Sequence, residues 1–220
     1  VVKRSVILSG AGPYSDPWHA FPETSHRLSA ILRGLGHEVE VTEDIPGRLG
    51  DLGGVDVLVV NAAAGPSGAG RESAQRGLHR FMAAGGGILG VHVGVCSLLD
   101  LSGWSAITGC AWMDGRSTHP PLGPSRVEVF PHAHPIGRGI SGFELIDERY
   151  TDLDIADGST VVAAHRIDGT LHPLLWARTV GGARVVSDAL GHGAESYDSD
   201  VHRQLIARSV DWLGGGTGRQ

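Results

Sequence analysis

The chain has 220 residues, 41% hydrophobic and 19% charged, which excludes a disordered polypeptide and suffices for one large globular core. Its formal net charge of −6, with twelve histidines counted neutral, gives no electrostatic ground for nucleic acid or an anionic membrane as partner. No run approaches the roughly 20 apolar residues of a membrane span, and two cysteines without a CxxC pair make a reducing cytoplasm the default compartment.

The N-terminal Val1-Val2-Lys3-Arg4 runs directly into the first predicted strand, Val6 to Leu8, so no signal peptide is expected. Gly10 to Glu23 reads as a long loop. Thr24 is placed to cap a helix whose Leu28, Ile31, Leu32 and Leu35 share one face, with Gly36 as its stop. Val39 to Val41 is a second strand and Val55 to Val60 a third, closed by Asn61. A Gly/Ala/Pro/Ser loop from Ala62 to Gly70 leads into a helix through Ala74, Leu78, Phe81 and Met82. That helix stops at Gly85-Gly86-Gly87, and a fourth strand, Ile88 to Val91, ends on His92. The second half is richer in strands: Arg126 to Phe130, Thr160 to His165, Leu174 to Trp176 and Ala183 to Ser187. A closing helix carries Val201, Leu205, Ile206 and Val210. Short apolar strands alternating with helices predict an α/β fold, a single domain over residues 1–214 with a doubly wound, mostly parallel sheet and helices on both faces. Residues 215–220 are expected to form a disordered tail.

Ligands of open parallel sheets bind beyond the carboxyl ends of the strands. That rule selects Trp18 and His19 after the first strand, Asn61 after the third and His92 after the fourth. After the last strand it selects Asp188 to His192. His19, His92 and His192 are therefore expected to line one cleft. Glycine occurs 34 times, against a usual share of about 7%, and five of the twelve aromatic residues are tryptophan, which suits a pocket built from loops. Gly90-Val91-His92-Val93-Gly94 has the form of a nucleophile elbow, in which flanking glycines let a tight turn lift the central side chain above the sheet. On that reading Gly90 and Gly94 both hold the turn and His92 is partly exposed. His26, His37, His79 and His202 are expected to be solvated, and His165 and His172, flanking an Asp168-Gly169 turn, to serve packing or hairpin capping. Asp147-Glu148 reads either as a functional acidic pair or as a loop charge cluster. His132-Ala133-His134, between two prolines, reads as a turn. The Gly85–Gly87 run lacks a following Lys-Ser/Thr and precedes a strand, so no nucleotide cofactor is expected.

Where the class I glutamine amidotransferases carry G-x-C-x-G, this chain carries Gly90-Val91-His92-Val93-Gly94, and in this it resembles the trehalose-utilisation (ThuA-like) family. The resemblance extends to Asp16-Pro17-Trp18-His19, Trp104, Thr118-His119-Pro120-Pro121, His134-Pro135-Ile136, Asp147-Glu148-Arg149-Tyr150 and Ala189-Leu190-Gly191-His192, spanning about Val6 to Leu213. It implies a glutamine amidotransferase-like (flavodoxin-like) fold and a role in bacterial carbohydrate metabolism on trehalose or related disaccharides, with a sugar dehydrogenase as pathway partner supplying 3-keto sugars. Without a cysteine at the elbow no thioester forms with glutamine, so glutaminase activity is not expected. An acidic partner two residues after His192 is missing, since Ala194 stands there and Glu195 one step further; a catalytic triad is not supported.

Two chemistries then fit. His92 and His192, with Asp147 and Glu148, can act as general acids and bases on a sugar bound by Trp18, His19, Asn61, Trp104, His119 and Tyr150. Alternatively His19, His92 and His192 hold a divalent metal such as zinc. A non-catalytic sugar-binding or interaction module and a metal-assisted amide hydrolase are the rival functions, and a homo-oligomer stays open.

Overall fold

The computed structural model describes residues 1–65, 67–98 and 101–215; most of the tail expected to be disordered, residues 216–220, lies outside the described residues. The chain enters through β1 (Arg4–Ser9), α1 (Phe21–Gly34), β2 (Glu38–Thr42), α2 (Ile45–Gly50), β3 (Val57–Asn61), α3 (Arg71–Ala83) and β4 (Gly87–Val91). Two short helices follow, α4 (Gly94–Ser97) and α5 (Trp104–Thr108), then β5 (Cys110–Ala111), β6 (Gly123–Val129), β7 (Phe143–Asp147) and β8 (Asp154–Ile155). Strands β9 (Thr160–Ile167), β10 (Thr170–Val180) and β11 (Ala183–Asp188) lead to the closing helix α6 (Asp200–Leu213).

Nine strands form one mixed sheet in the order β2-β1-β3-β4-β11-β10-β9-β6-β7. From β2 to β11 every pairing is parallel, and from β11 to β7 every pairing is antiparallel. The change of direction has a local cause. Gly181 and Gly182 join β10 to β11 with φ of 57° and 89°, and Asp168 and Gly169 join β9 to β10 with φ of 49° and 82°. Positive φ at both central residues makes two-residue hairpins whose twist matches that of their strands. His165 and His172 face each other across the second hairpin, both buried; His165 Nε2 lies 2.9 Å from Tyr150 O, and His172 Nδ1 accepts the Asp152 N–H at 3.2 Å. Pro173 cannot donate to the ladder, and the β9–β10 register shifts beside it.

Alternate residues of the parallel strands pack into two separate clusters. Ile7, Val57, Val59 and Leu89 lie with Leu28 and Leu32 of α1 and Leu205 and Val210 of α6. Val6, Leu8, Leu58, Val60 and Ile88 lie with Ile45 and Leu49 of α2 and Leu78 and Phe81 of α3. Each fully buried leucine contributes about 1.5–3 kcal/mol of transfer free energy, so the two clusters hold the strand ends, and whatever stands on them, in fixed register.

The first helix begins at Phe21, three residues before the expected cap. Thr24 lies inside it, its hydroxyl donating to the carbonyls of Ala20 and Phe21. Gly36 does stop it, with φ of 84°. The helix α2, capped by the Asp44 side chain, was absent from the sequence expectation, as was β7. His202 and His37 are buried rather than solvated, the latter hydrogen-bonded through Nδ1 to Ser5 Oγ at 2.7 Å. Among the described residues no helix is long and apolar enough to cross a membrane.

Candidate functional site

His92 stands on a strained turn directly after β4. Its φ is 47°, a region costly for any side-chain-bearing residue, and its N–H donates to Asp188 O at 2.7 Å. The turn closes through Val95 N–H to His92 O at 3.0 Å. Gly94 makes it feasible, because a Cβ there would lie 2.3 Å from Val60 O. Gly90 does not share that role: a Cβ there would meet its nearest neighbour, Val95 Cα, at an ordinary 3.4 Å. His92 is also not partly exposed, as expected, but 1% accessible.

Burial obliges the His92 ring to use both nitrogens. Nδ1 lies 3.0 Å from Ala189 O, and only an N–H can bond to a carbonyl, so Nδ1 carries a proton and Nε2 is the nitrogen turned to the cluster. Nε2 faces Tyr150 Oη at 3.0 Å, His192 Nδ1 at 3.2 Å and Glu148 Oε2 at 3.4 Å. His19 repeats the pattern. Its Nδ1 lies 2.7 and 2.8 Å from the two Asp16 carboxylate oxygens, while its Nε2 is buried without a partner among the described residues. Asp16 also accepts the backbone N–H groups of Trp18 and His19, so the loop is folded around that carboxylate.

Asp147 and Glu148, adjacent in sequence, have opposite surroundings. Strand β7 alternates Phe143, Leu145 and Asp147 inward. Asp147 Oδ1 accepts from the backbone N–H groups of Glu148 at 2.8 Å and His192 at 3.1 Å; Oδ2 accepts from Gly191 N–H at 2.7 Å and Ser196 Oγ at 2.6 Å. Fully buried and filled with donors, it has nothing left for a substrate; it holds the loop that carries His192, which corrects its expected catalytic role. Gly191 lets that loop approach β4: its φ is 106°, and a Cβ there would meet Tyr197 Oη at 2.7 Å. Glu148 turns the other way. Its Oε2 is 3.4 Å from both His92 Nε2 and His192 Nδ1, and its Oε1 is 3.0 Å from His119 Nδ1. Glu148 thus supplies His192 with the acidic neighbour that the following residues lack.

His19, His92, His192 and Glu148 therefore form one cluster whose four ligand-capable atoms all lie within 4.8 Å of one another. The donor set fits a divalent transition metal. A tetrahedral site with bonds of roughly 2.0–2.1 Å sets its ligand atoms about 3.3 Å apart, and the three separations among His92, His192 and Glu148 are 3.2, 3.4 and 3.4 Å. A neutral imidazole bonded through its other nitrogen to a carboxylate or carbonyl is the usual orienting contact of a metal ligand, and His19 and His92 each have one. The orphaned Nε2 of His19 is the strongest sign, since a buried lone pair without a donor costs about 1–3 kcal/mol unless something occupies it.

Charge follows the geometry. Burial resists ionisation of Glu148, but hydrogen bonds from His192 and His92 outweigh it and hold the carboxyl well below the usual range. His192 is raised, through its hydrogen bond to Glu148 against the effect of burial. His19 is lowered, because burial and the neighbouring His92 outweigh Asp16. The Tyr150 hydroxyl is pushed well up by burial and then by the Glu148 charge, so it stays protonated.

An aromatic wall borders the cluster. Tyr150 stacks on His92 with centroids 4.6 Å apart, and Trp112 meets Tyr150 edge-on at 5.3 Å and His119 at 6.4 Å. Trp112 is 37% exposed, and Trp18, one residue before His19, is 74% exposed. Nothing in the sequence pattern marks Trp112. Two expected substrate-binding residues have other tasks. Trp104 is buried in the core, its Nε1 donating to Gly94 O at 3.2 Å beneath the elbow. Asn61 is buried and spends its amide on Thr24 Oγ1 and Ser25 Oγ, tying α1 to β3. His134 caps a turn and packs on Trp212, so His132-Ala133-His134 takes no part in the cluster. Cys96 and Cys110 are buried with sulfurs 3.2 Å apart. A cavity of about 510 Å³ lies at the opposite end of the strands, lined by residues that include Gly53, Gly54, Gly85, Gly86 and Gly182. It contains none of the cluster residues, so the candidate site is marked by chemistry and not by cavity volume.

Comparison with known proteins agrees in fold and in sequence pattern. Residues 12–213 match the ThuA family model, described as trehalose utilisation. No protein among those with curated descriptions matches the sequence. A ThuA-like protein from Parabacteroides merdae superposes with a TM-score of 0.83 at 17% identity, covering 100% of this chain and 93% of its own. One from Bacteroides uniformis gives 0.76 at 15% identity, with 96% and 91% covered. A β-galactosidase from Rahnella sp. R3 gives 0.63 at 16% identity, where 90% of this chain matches 30% of the enzyme.

Proposed function

The chain belongs to the ThuA (trehalose utilisation) family, and from that premise we propose that it is an enzyme acting on a carbohydrate at a divalent-metal centre. The observation that carries the proposal is the convergence of His19 Nε2, His92 Nε2, His192 Nδ1 and Glu148 Oε2, with the first of these buried and unpartnered. These four atoms would hold the ion. A metal so bound supplies Lewis-acid polarisation of a sugar carbonyl or hydroxyl.

The remaining roles belong to the chain itself. Asp16 and Ala189 O hold the His19 and His92 rings so that each presents Nε2. Tyr150, protonated and 3.0 Å from His92 Nε2, holds a proton at Oη beside the reacting group. His119, 39% exposed on its side chain, links Glu148 Oε1 to solvent and is the group that moves protons between the two. Trp112 and Trp18 offer apolar ring faces of the kind that stack on a pyranose. The family's description favours trehalose or a related disaccharide, including its 3-keto form, with a sugar dehydrogenase as pathway partner. The doubly wound arrangement belongs to the same reading, supported by the two core clusters against alternate strand residues.

The test combines metal analysis of protein purified without a histidine tag with thermal shift and turnover across disaccharides and 3-keto disaccharides. One ion per chain and turnover lost on chelation are expected. Turnover unaffected by chelation would overturn the metal centre. Sugar binding without turnover by the metal-loaded protein would replace the enzyme with a binding module.

A further inference from the structure

Beneath the metal cluster runs a second set of polar side chains with no access to solvent. His202, in the first turn of α6, is 0% exposed, as are Asp188, Ser196 and Asp147. His202 Nε2 lies 3.0 Å from Asp188 Oδ2, and its Nδ1 lies 2.9 Å from Ser196 Oγ and 3.1 Å from Ser196 O. Ser196 Oγ donates onward to Asp147 Oδ2 at 2.6 Å. These distances resemble a Ser-His-Asp nucleophilic triad, but the hydroxyl proton is directed at Asp147 and nothing can reach the oxygen, so it is not one.

Proton counting fixes the state of the ring. Ser196 gives its only proton to Asp147, so toward His202 it is an acceptor at both Oγ and O, and His202 Nδ1 must be the donor. Nε2 faces a carboxylate and must donate as well, so His202 is an imidazolium. Burial alone would lower its pKa; the Asp188 charge, the hydrogen bond to Asp188 and the Asp147 charge together raise it. A cation in the first turn of a helix opposes the helix dipole, and a buried carboxylate is tolerated only when paired. His202 therefore lies where only its acidic partners favour it.

Both ends of this chain reach the metal ligands. Asp188 O accepts the His92 N–H at 2.7 Å, and Asp188 Oδ1 accepts the Leu190 N–H at 3.1 Å, fixing the loop whose Ala189 O orients the His92 ring. Asp147 accepts the N–H groups of Gly191 and His192. We propose that Asp188, His202, Ser196 and Asp147 form one buried relay of positioning residues that sets the His92 and His192 ligand geometry and thereby the affinity of the centre for its metal. The proposal rests on the metal reading above. Ser196 is its sensitive point: its hydroxyl bridges the His202–Asp188 pair and Asp147.

The experiment is cobalt(II) titration of the untagged full chain, followed by the visible absorption of the bound ion, for wild type, Ser196→Ala, His202→Gln and Ser196→Thr. Loss of an orienting contact behind a ligand usually costs about 10–100-fold in metal affinity. That loss, with a changed cobalt spectrum, is expected for Ser196→Ala and His202→Gln, and Ser196→Thr, which keeps the hydroxyl, should recover most of it. Ser196→Ala removes one atom and should fold; its cooperative thermal unfolding without metal checks this. A folded Ser196→Ala with wild-type cobalt affinity and spectrum overturns the relay and leaves the metal centre standing, whatever its melting temperature. A wild type that binds no cobalt overturns both.

Discussion

In the parallel half of the sheet His19, His92 and His192 lie beyond the ends of parallel strands, whereas in the antiparallel half Glu148 directly follows β7 and loop pairing brings Tyr150 and His119 beside it. Strand β6 joins β9 through only two residue pairs, so the β6–β7 hairpin departs from the sheet and brings Asp147 against Ser196. A single bridge between Thr118 and Thr151 then lays His119 beside Glu148 and Tyr150. The parallel half gives three imidazoles in a fixed frame; the antiparallel half gives the carboxylate, the protonated hydroxyl and the path to solvent. The comparison teaches that the parallel-sheet rule finds the imidazoles of the cluster but not its carboxylate, which stands at the end of an antiparallel strand.

The frame of the parallel half should be the most fragile. Gly94→Val places a side chain 2.3 Å from Val60 O, which is backbone and cannot yield. Soluble, cooperatively folded protein should be lost, while Gly90→Ala should express and melt within a few degrees of wild type. A folded Gly94→Val would show that the elbow is more pliant than its geometry implies.

If the two halves form one centre, removing a ligand from either should do equal damage. His92→Ala and Glu148→Gln should each lower turnover by roughly 10²–10⁴-fold and abolish tight metal binding. His92 is buried with three ring hydrogen bonds, so its loss should also cost about 1–3 kcal/mol of stability. Glu148→Gln spares the shape and should stay folded, losing only the stability that its charge contributes. Full metal binding in Glu148→Gln would separate the halves.

The pH dependence of the metal-free protein sharpens the same point. Glu148 is lowered from an ordinary value of 4.5, so its contribution is present above 4.5 and is lost as pH falls toward its depressed value. His192 is raised from 6.5, so its contribution is present below 6.5 and is lost as pH rises through its elevated value. The stability difference between wild type and Glu148→Gln should therefore be largest between those two pH values and shrink on both sides. Denaturant melts across pH measure it, and a flat difference would deny the coupling.

The smallest effect belongs to the aromatic wall. Trp112→Ala should weaken sugar binding by about 0.5–1.5 kcal/mol, the usual worth of an aromatic stack, roughly 2- to 13-fold, and leave metal affinity unchanged. Calorimetry with metal-loaded protein separates the two quantities.

Much of this was legible in the sequence, for physical reasons that differ by residue. His19, His92 and His192 could be grouped because each lies in the segment that follows an apolar strand, and the parallel-sheet rule needs nothing more. Asp147 and Glu148 were visible only as an acidic pair, because β7 went unrecognised; its Phe-x-Leu-x-Asp alternation carries the inward direction of Asp147. His202 lies on the same face of α6 as Leu205, Ile206 and Ser209, a helical stripe that marks it as buried. Trp104 was assigned to substrate because it follows the elbow, but that position faces the underside of the turn, where a large apolar ring fills the core. Trp112 follows a two-residue strand whose pairing lies far along the chain, a contact that local pattern does not record.

The central claim is that three histidines from one half of the sheet and a glutamate from the other bind a single ion. Anomalous diffraction at the zinc edge, from crystals of untagged wild-type and Glu148→Gln protein exposed to zinc, tests it most directly. The account requires one anomalous peak in wild type, bonded by His19, His92, His192 and Glu148, and its loss or marked weakening in the variant. A well-ordered cluster without a peak, or a peak confined to other residues such as His132 and His134, would contradict it.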